Sequence, residues 1–232
     1  MPHDGNVLLD RMAGAEIRLV SHAEYAQRAA VMDSVALELR DRGKRPYIVP
    51  EGGSNGLGSL GYVDCMREIR AQMQRGLAGG GAPFDVVVHA CGSGGTAAGV
   101  ALGASQFGVA RVVRPMAVCD SAEVFERSIA RIVLEARAWD PSLGDPAPVV
   151  VDDQAKGPAY AVSTPEQRRT LVRVARSSGL VLDPVYTGKA MHGLLAAVER
   201  GDIRRGARVL FLHTGGLPGL LAEGDSLREE LA

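Results

Sequence analysis

The chain has 232 residues, 46% of them hydrophobic and 23% charged, and its formal net charge is −1. That length and mixture suit one large domain or two small ones with a real core, and they exclude a disordered chain. The charge argues against electrostatic nucleic-acid binding, and no apolar run approaches the ~20 residues of a membrane span. The opening MPHDGNVLLD lacks the basic start, apolar core and cleavage site of a signal peptide. Cys65, Cys91 and Cys119 are the only cysteines, too few for a disulfide framework, so a reduced, cytoplasmic setting is expected. Two residue types are unevenly used. Lys44, Lys156 and Lys189 are the only lysines among 26 basic residues, and glycine reaches 29 residues.

In chain order, Glu16–Val20 reads as a short strand and His22–Arg42 as a helix ending at Gly43. Pro46–Val49 reads as a strand entering the loop Glu51–Gly58, and Leu60–Leu77 as a helix. Phe84–Ala90 is a near-continuous apolar run, as a strand buried on both faces requires. A glycine turn and a small-residue helix follow. Arg111–Val118 and Ala147–Val151 are further strands, with a helix from Ser121 to Trp139 between them. Pro165–Ser178 and Thr187–Arg200 are helices, Ala207–His213 is the last core strand, and LREELA is an amphipathic tail. This alternation predicts an α/β fold with three layers and a mostly parallel sheet. Ligands in such folds sit outside the carboxyl ends of the strands. The loop Pro141–Pro165, with four prolines before its end, is a candidate wall for such a site.

Four segments sit at strand ends. The first, His89-Ala-Cys-Gly-Ser-Gly-Gly-Thr96, joins a buried strand to a helix. Its glycines let the backbone fold round an anion, the helix N-terminus favours negative charge, and Ser93 and Thr96 add hydroxyl donors. Gly92, Gly94 and Ala97 also fit a loose dinucleotide fingerprint, with Asp120 as the ribose-binding acid, whereas no Lys-Ser/Thr follows to make a P-loop. The second segment is Pro50–Gly58. There Ser54 and Asn55 either contact a ligand or cap the next helix. The third is Leu182–Ala190, where Tyr186 either stacks on a planar ring or serves as a core aromatic. The fourth is Phe211–Pro218, with the Thr214 hydroxyl beside Gly215 and Gly216. No CxxC or HExxH spacing supports a metal site, and no G-x-S-x-G elbow supports a serine nucleophile.

Taken together, GNVLLDRMAGAEI, VPEGGSNGLGSLGYV, ACGSGGTAAG, LDPVYTGKAMHGL and FLHTGGLPGL resemble the D-cysteine desulfhydrase and 1-aminocyclopropane-1-carboxylate deaminase family. These are fold type II pyridoxal-phosphate enzymes related to the tryptophan synthase β-subunit. The resemblance runs from Gly5 to about Leu221. It implies pyridoxal 5′-phosphate as cofactor, its phosphate held by Cys91, Gly92, Ser93, Gly94, Gly95 and Thr96. It implies Thr187 and Thr214 near the pyridine nitrogen, Ser54 and Asn55 at the substrate, and Tyr186 and Tyr160 as catalytic tyrosines. Tyr160 matches the tyrosine of a family Gly-Tyr-Gly, although Ala161 stands where the second glycine would be. The family's deaminases have Glu after the stacking tyrosine, and this chain has YTGK, as the desulfhydrases do. A neutral Thr makes a weaker electron sink, adequate for β-elimination of a thiol but less so for opening a cyclopropane.

The resemblance therefore implies a carbon–sulfur lyase acting on a small amino acid. D-cysteine would give pyruvate, hydrogen sulfide and ammonia, with 1-aminocyclopropane-1-carboxylate deaminase and L-cysteate sulfo-lyase as alternatives. Family members begin earlier and carry their Schiff-base lysine in a Gly-Asn-Lys context that these residues lack. The expectation is an N-terminally truncated chain, with residues 1–50 the remnant of a small domain and residues 51–232 the large cofactor-binding domain. Such a chain would be a homodimer, or would pair with a separate N-terminal chain. Two readings from other classes stay open: a non-catalytic phosphate-ligand-binding or assembly subunit, and a small NAD-binding oxidoreductase.

Overall fold

The computed structural model describes residues 4–231. The outermost ends of the two expected domains, residues 1–3 and 232, lie outside the described residues. Three parallel strands form the centre. β1 (Phe84–Cys91) lies between β2 (Ala110–Ala117) and β3 (Val209–Phe211). Val86 is in register with Val112 on one side and Val209 on the other.

β1 is apolar on both faces because both faces are covered. Val86 and Val88 pack against Ala190, Leu194 and Ala197 of α8 (Thr187–Arg200). Val87 points the other way, onto Val100, Ala101 and Ala104 of α5 (Gly95–Gln106). α4 (Gly56–Gln74) and α6 (Ala122–Trp139) pack on α5 and complete that layer, while α7 (Pro165–Ser178) lies against α8. This is the expected three-layer α/β architecture. α4 reaches α5 very closely: a Cβ added at Gly99 would stand 2.1 Å from the Ser59 carbonyl oxygen. Part of the glycine surplus is therefore packing.

Local signals set the helix ends. Ser121 caps α6 by accepting from the Val124 N–H. Thr164 and Gln167 make a capping box on α7, which ends at Gly179 in the left-handed conformation.

Several expected elements come out differently. Glu16–Val20 and Pro46–Val49 form no strand. They have β-forming residues but no neighbouring strand to take their backbone hydrogen bonds. The long helix expected at His22–Arg42 breaks at Gln27 into α2 (His22–Ala26) and α3 (Arg28–Asp41). α1 (Gly5–Met12) forms where no element was expected. Ala147–Val151 reaches the sheet only through a parallel bridge of Val149 to Val113. Pro146 and Pro148 have no N–H to donate, so a longer ladder cannot form there. The last strand is three residues long, and LREELA ends in α10 (Arg228–Leu231) after α9 (Leu217–Ala222).

Among the described residues up to Pro50, only Ala36 is buried. Among the described residues no helix is long and apolar enough to cross a membrane.

Candidate active site

A cavity of about 1340 Å³ opens at the carboxyl ends of β1 and β2. Three groups of residues line it, one from the glycine turn after β1, one from the tyrosine-bearing loops, and one from α2, α3 and the loop before α4, alongside Cys119, Asp120 and the near face of α6.

The glycine turn supplies the first group. Gly94 has φ 97°, which leaves β1 in the left-handed region before α5 begins, and a Cβ there would come within 3.3 Å of Ile129. The turn presents Gly92, Ser93 and Thr96 to the cavity. Ser54 faces them: its Oγ lies 2.6 Å from Ser93 Oγ and accepts from the Gly95 N–H at 3.2 Å. Two hydroxyls therefore converge on the N-terminus of a twelve-residue helix, a donor set suited to a phosphate or carboxylate.

Asp183 builds the second group. Its buried carboxylate accepts from the N–H groups of Val185, Tyr186 and Thr187 and from the Thr187 hydroxyl. That fixes the turn before α8 and aims Tyr186 into the cavity. The Tyr186 and Tyr160 hydroxyls are hydrogen-bonded, with the rings edge-to-face at 5.9 Å. Burial, then the Tyr160 hydrogen bond, pushes the Tyr186 pKa up, so it is a neutral phenol at ordinary pH. Thr214 joins them in the lining. Its loop is held by His213, whose Nε2 donates to the Val181 carbonyl and whose Nδ1 accepts from the Gly215 N–H. Gly216 lies so close to Asp183 that a Cβ would stand 2.3 Å from its Cγ. Ala161, beside Tyr160, has φ 58°, so it adopts the backbone shape that glycine would favour.

The third group completes the lining from the N-terminal helices. Arg28 pairs with Glu51 at 2.7 Å and lies 5.1 Å over the Tyr25 ring. The Tyr25 hydroxyl donates to Glu51 at 2.7 Å.

The structure thus brings together Gly92, Ser93, Thr96, Ser54, Tyr160, Tyr186 and Thr214. The other expected site residues do not line the cavity. Cys91 is a core residue, and burial pushes its thiol up to about 12. Gly94 and Gly95 are buried and shape the turn. Asn55 takes the capping alternative, accepting from the Gly58 N–H at 2.8 Å. Thr187 is buried, with its hydroxyl donating to Asp183 Oδ1 and accepting from the Asp183 N–H. Sequence reasoning missed Asp183 as the organiser of the tyrosine turn, although Asp-Pro already marks a turn there. It also missed Tyr25 and Arg28, which lie in a segment without a motif, and Glu51, whose segment drew attention only through Ser54 and Asn55. Asp120 lines the cavity beside Cys119, having entered the reading only as a ribose-binding acid.

The model of the family described as "Pyridoxal-phosphate dependent enzyme" matches residues 1–215. The chain belongs to the pyridoxal-phosphate dependent enzyme family. It is 37% identical over 226 residues to the bifunctional D-cysteine desulfhydrase/1-aminocyclopropane-1-carboxylate deaminase of Arabidopsis thaliana, covering 96% of this chain and 55% of that one. It is 41% identical over 189 residues to the D-cysteine desulfhydrase of Yersinia pestis (strain Pestoides F), covering 81% of this chain and 56% of that one. A crystal structure of an ACC deaminase homologue superposes with a TM-score of 0.82 at 33% identity, covering 99% of this chain and 67% of the other. The chain therefore spans little more than half the length of the two named relatives.

Membership makes pyridoxal phosphate the cofactor of this fold, and the dinucleotide reading of the glycine turn gives way to it. The cavity fits the group. The Ser93–Thr96 turn and Ser54 suit its phosphate, and the flat faces and neutral hydroxyls of the tyrosine end suit its ring.

Proposed function

We propose that the chain carries the phosphate cradle and ring wall of a pyridoxal-phosphate dependent carbon–sulfur lyase of D-cysteine desulfhydrase type. The carrying observation is one cavity lined together by the turn of residues 92–96 at the start of α5, by Ser54 and by the hydroxyl-bearing Tyr160, Tyr186 and Thr214. Ser93, Thr96 and Ser54 hold the phosphate. Thr214, which faces the cavity, is the hydroxyl for the ring nitrogen, since that of Thr187 is committed to Asp183. Tyr186 stacks or reaches toward the amino acid, and Tyr160 fixes its hydroxyl.

When bound, pyridoxal phosphate supplies the sink for the electrons left at the substrate Cα. The overall change is D-cysteine plus water to pyruvate, hydrogen sulfide and ammonia. Tyr186 is a phenol held neutral by its surroundings, so it can donate a hydrogen bond to a departing thiolate while keeping its proton. None of the three lysines lines the cavity. The family's lysine context is also absent from these residues, so the amine that meets the cofactor aldehyde lies in the additional length that the relatives have or on a partner chain.

Residues 1–50 belong on this reading to the smaller lobe, and residues 51–232 to the larger. Exposed Leu9, Met12, Leu19, Tyr47 and Val49 support cover of the smaller lobe by further protein, either a second copy or a separate N-terminal chain. The three free cysteines agree with a cytoplasmic setting.

Equilibrium dialysis tests the cofactor step. Saturable binding of one pyridoxal 5′-phosphate per chain is expected, displaced by inorganic phosphate and weakened about tenfold or more by Ser93→Ala with Thr96→Val. Binding of NADH without binding of pyridoxal phosphate would overturn the reading. Assays on the protein together with whatever completes it then separate the substrates. Sulfide and pyruvate from D-cysteine support the desulfhydrase. Turnover of 1-aminocyclopropane-1-carboxylate with no sulfide from D-cysteine supports the deaminase.

A further inference from the structure

Lys189 lies in the first turn of α8, fully buried. Its ammonium has no carboxylate partner among the described ion pairs. Instead Nζ donates to three backbone carbonyls: Val118 at 3.0 Å, Lys156 at 2.8 Å and Ala159 at 2.8 Å. The first is the residue just after β2, and the other two belong to the loop that delivers Tyr160. A neutral amine has only two N–H bonds, so three carbonyl acceptors fit the ammonium form. Burial lowers the amine's proton affinity, and three charge-assisted bonds oppose that.

We infer that Lys189 is a positioning residue: an internal cation that ties the Tyr160 loop to the end of β2 and so holds Tyr160 against Tyr186 at the cavity. The end of β2, the loop before Tyr160 and the start of α8 meet at this one ammonium. Without it, three carbonyls would face each other across a buried space, and the loop would withdraw. With all its N–H bonds engaged, Lys189 is not an amine free to condense with an aldehyde.

The lysine scarcity makes the test direct. In the wild-type chain labelled with 15N-lysine, one ammonium resonance at neutral pH should exchange slowly with water, and Lys189→Met should abolish it. Pyridoxal phosphate followed by borohydride should leave no label on Lys189 in a peptide map. Lys189→Met should also shift the highest tyrosine ionisation, followed by tyrosinate absorbance, down by about one pH unit, because Tyr186 loses its partner. In Lys189→Ala, propylammonium should restore that ionisation and 1-propanol should not.

Any of these results overturns the inference: no protected ammonium, a labelled Lys189, a folded Lys189→Met with unchanged tyrosine titration, or restoration by propanol as good as by propylammonium. Where neither variant folds alone, folding of Lys189→Ala must return with propylammonium. Failure to do so equally overturns it.

Discussion

The Asp183 carboxylate meets four donors, two at each oxygen. In Asp183→Asn, an NH2 would face two of those donors. The expected cost is about 2–3 kcal/mol, read from the urea midpoint, with the tyrosine near-UV signal reduced at the same time. His89 acts in the opposite charge sense. It is fully buried on β1, with Nδ1 2.8 Å from its neighbour's carbonyl, and burial lowers its pKa from the usual 6.5 to about 4. Above pH 6.5 both folded and unfolded chains hold it neutral. Between 6.5 and 4 only the unfolded chain takes up a proton, so stability is lost as pH falls through that window, by about 3 kcal/mol in all. Urea unfolding at a series of pH values checks this, and His89→Leu should flatten the slope. Ala161 pays for its left-handed backbone, and Ala161→Gly should raise stability by about 0.5–1 kcal/mol, the relieved strain exceeding the added chain entropy.

At the scale of elements, α4 and α5 are seated by the missing side chain of Gly99. Gly99→Val would force its Cβ into the Ser59 carbonyl and part the two helices. Because the loop into α4 carries Ser54, the variant should lose both thermal stability and phosphate affinity, measurable by melting with and without inorganic phosphate. The same pair of helices marks how far the sequence could be read. The helices from Ser121, Pro165 and Thr187 were legible because caps and periodicity are local. The glycine turn was legible as a strand-to-helix junction because a buried strand followed by glycines must turn sharply, as Gly94 does with φ 97°. Glu16–Val20 was misread because a strand exists only with a partner, and nothing local reports one. Cys91, Asn55 and Thr187 stand away from the cavity lining although their motifs named them, because a motif gives positions without saying which way each side chain turns. Asp183 was readable only as part of an Asp-Pro turn, because its organising work is done on backbone N–H groups, which a sequence does not display.

At the scale of the molecule, burial divides the chain unevenly. The sheet, α5 and α6 hold the main clusters of buried side chains, whereas the described residues up to Pro50 contribute only Ala36. Limited proteolysis of the isolated chain should therefore cut first among residues 13–50 and leave a resistant remainder beginning near α4. Early cleavage within β1 or α5 would contradict that order.

The sheet order has a consequence during synthesis. β1 is the central strand, yet β3 lies 123 residues further along the chain, the separation spanned by the bond from the Arg208 N–H to Asp85. A ribosome must add 123 more residues before one edge of the central strand finds its mate. Through that interval Val86 and Val88 have no α8 to cover them, and the open edge can pair with another nascent chain. This chain's vulnerable moment thus falls between the synthesis of β1 and that of β3, and its yield in cells should rise with chaperone supply during translation.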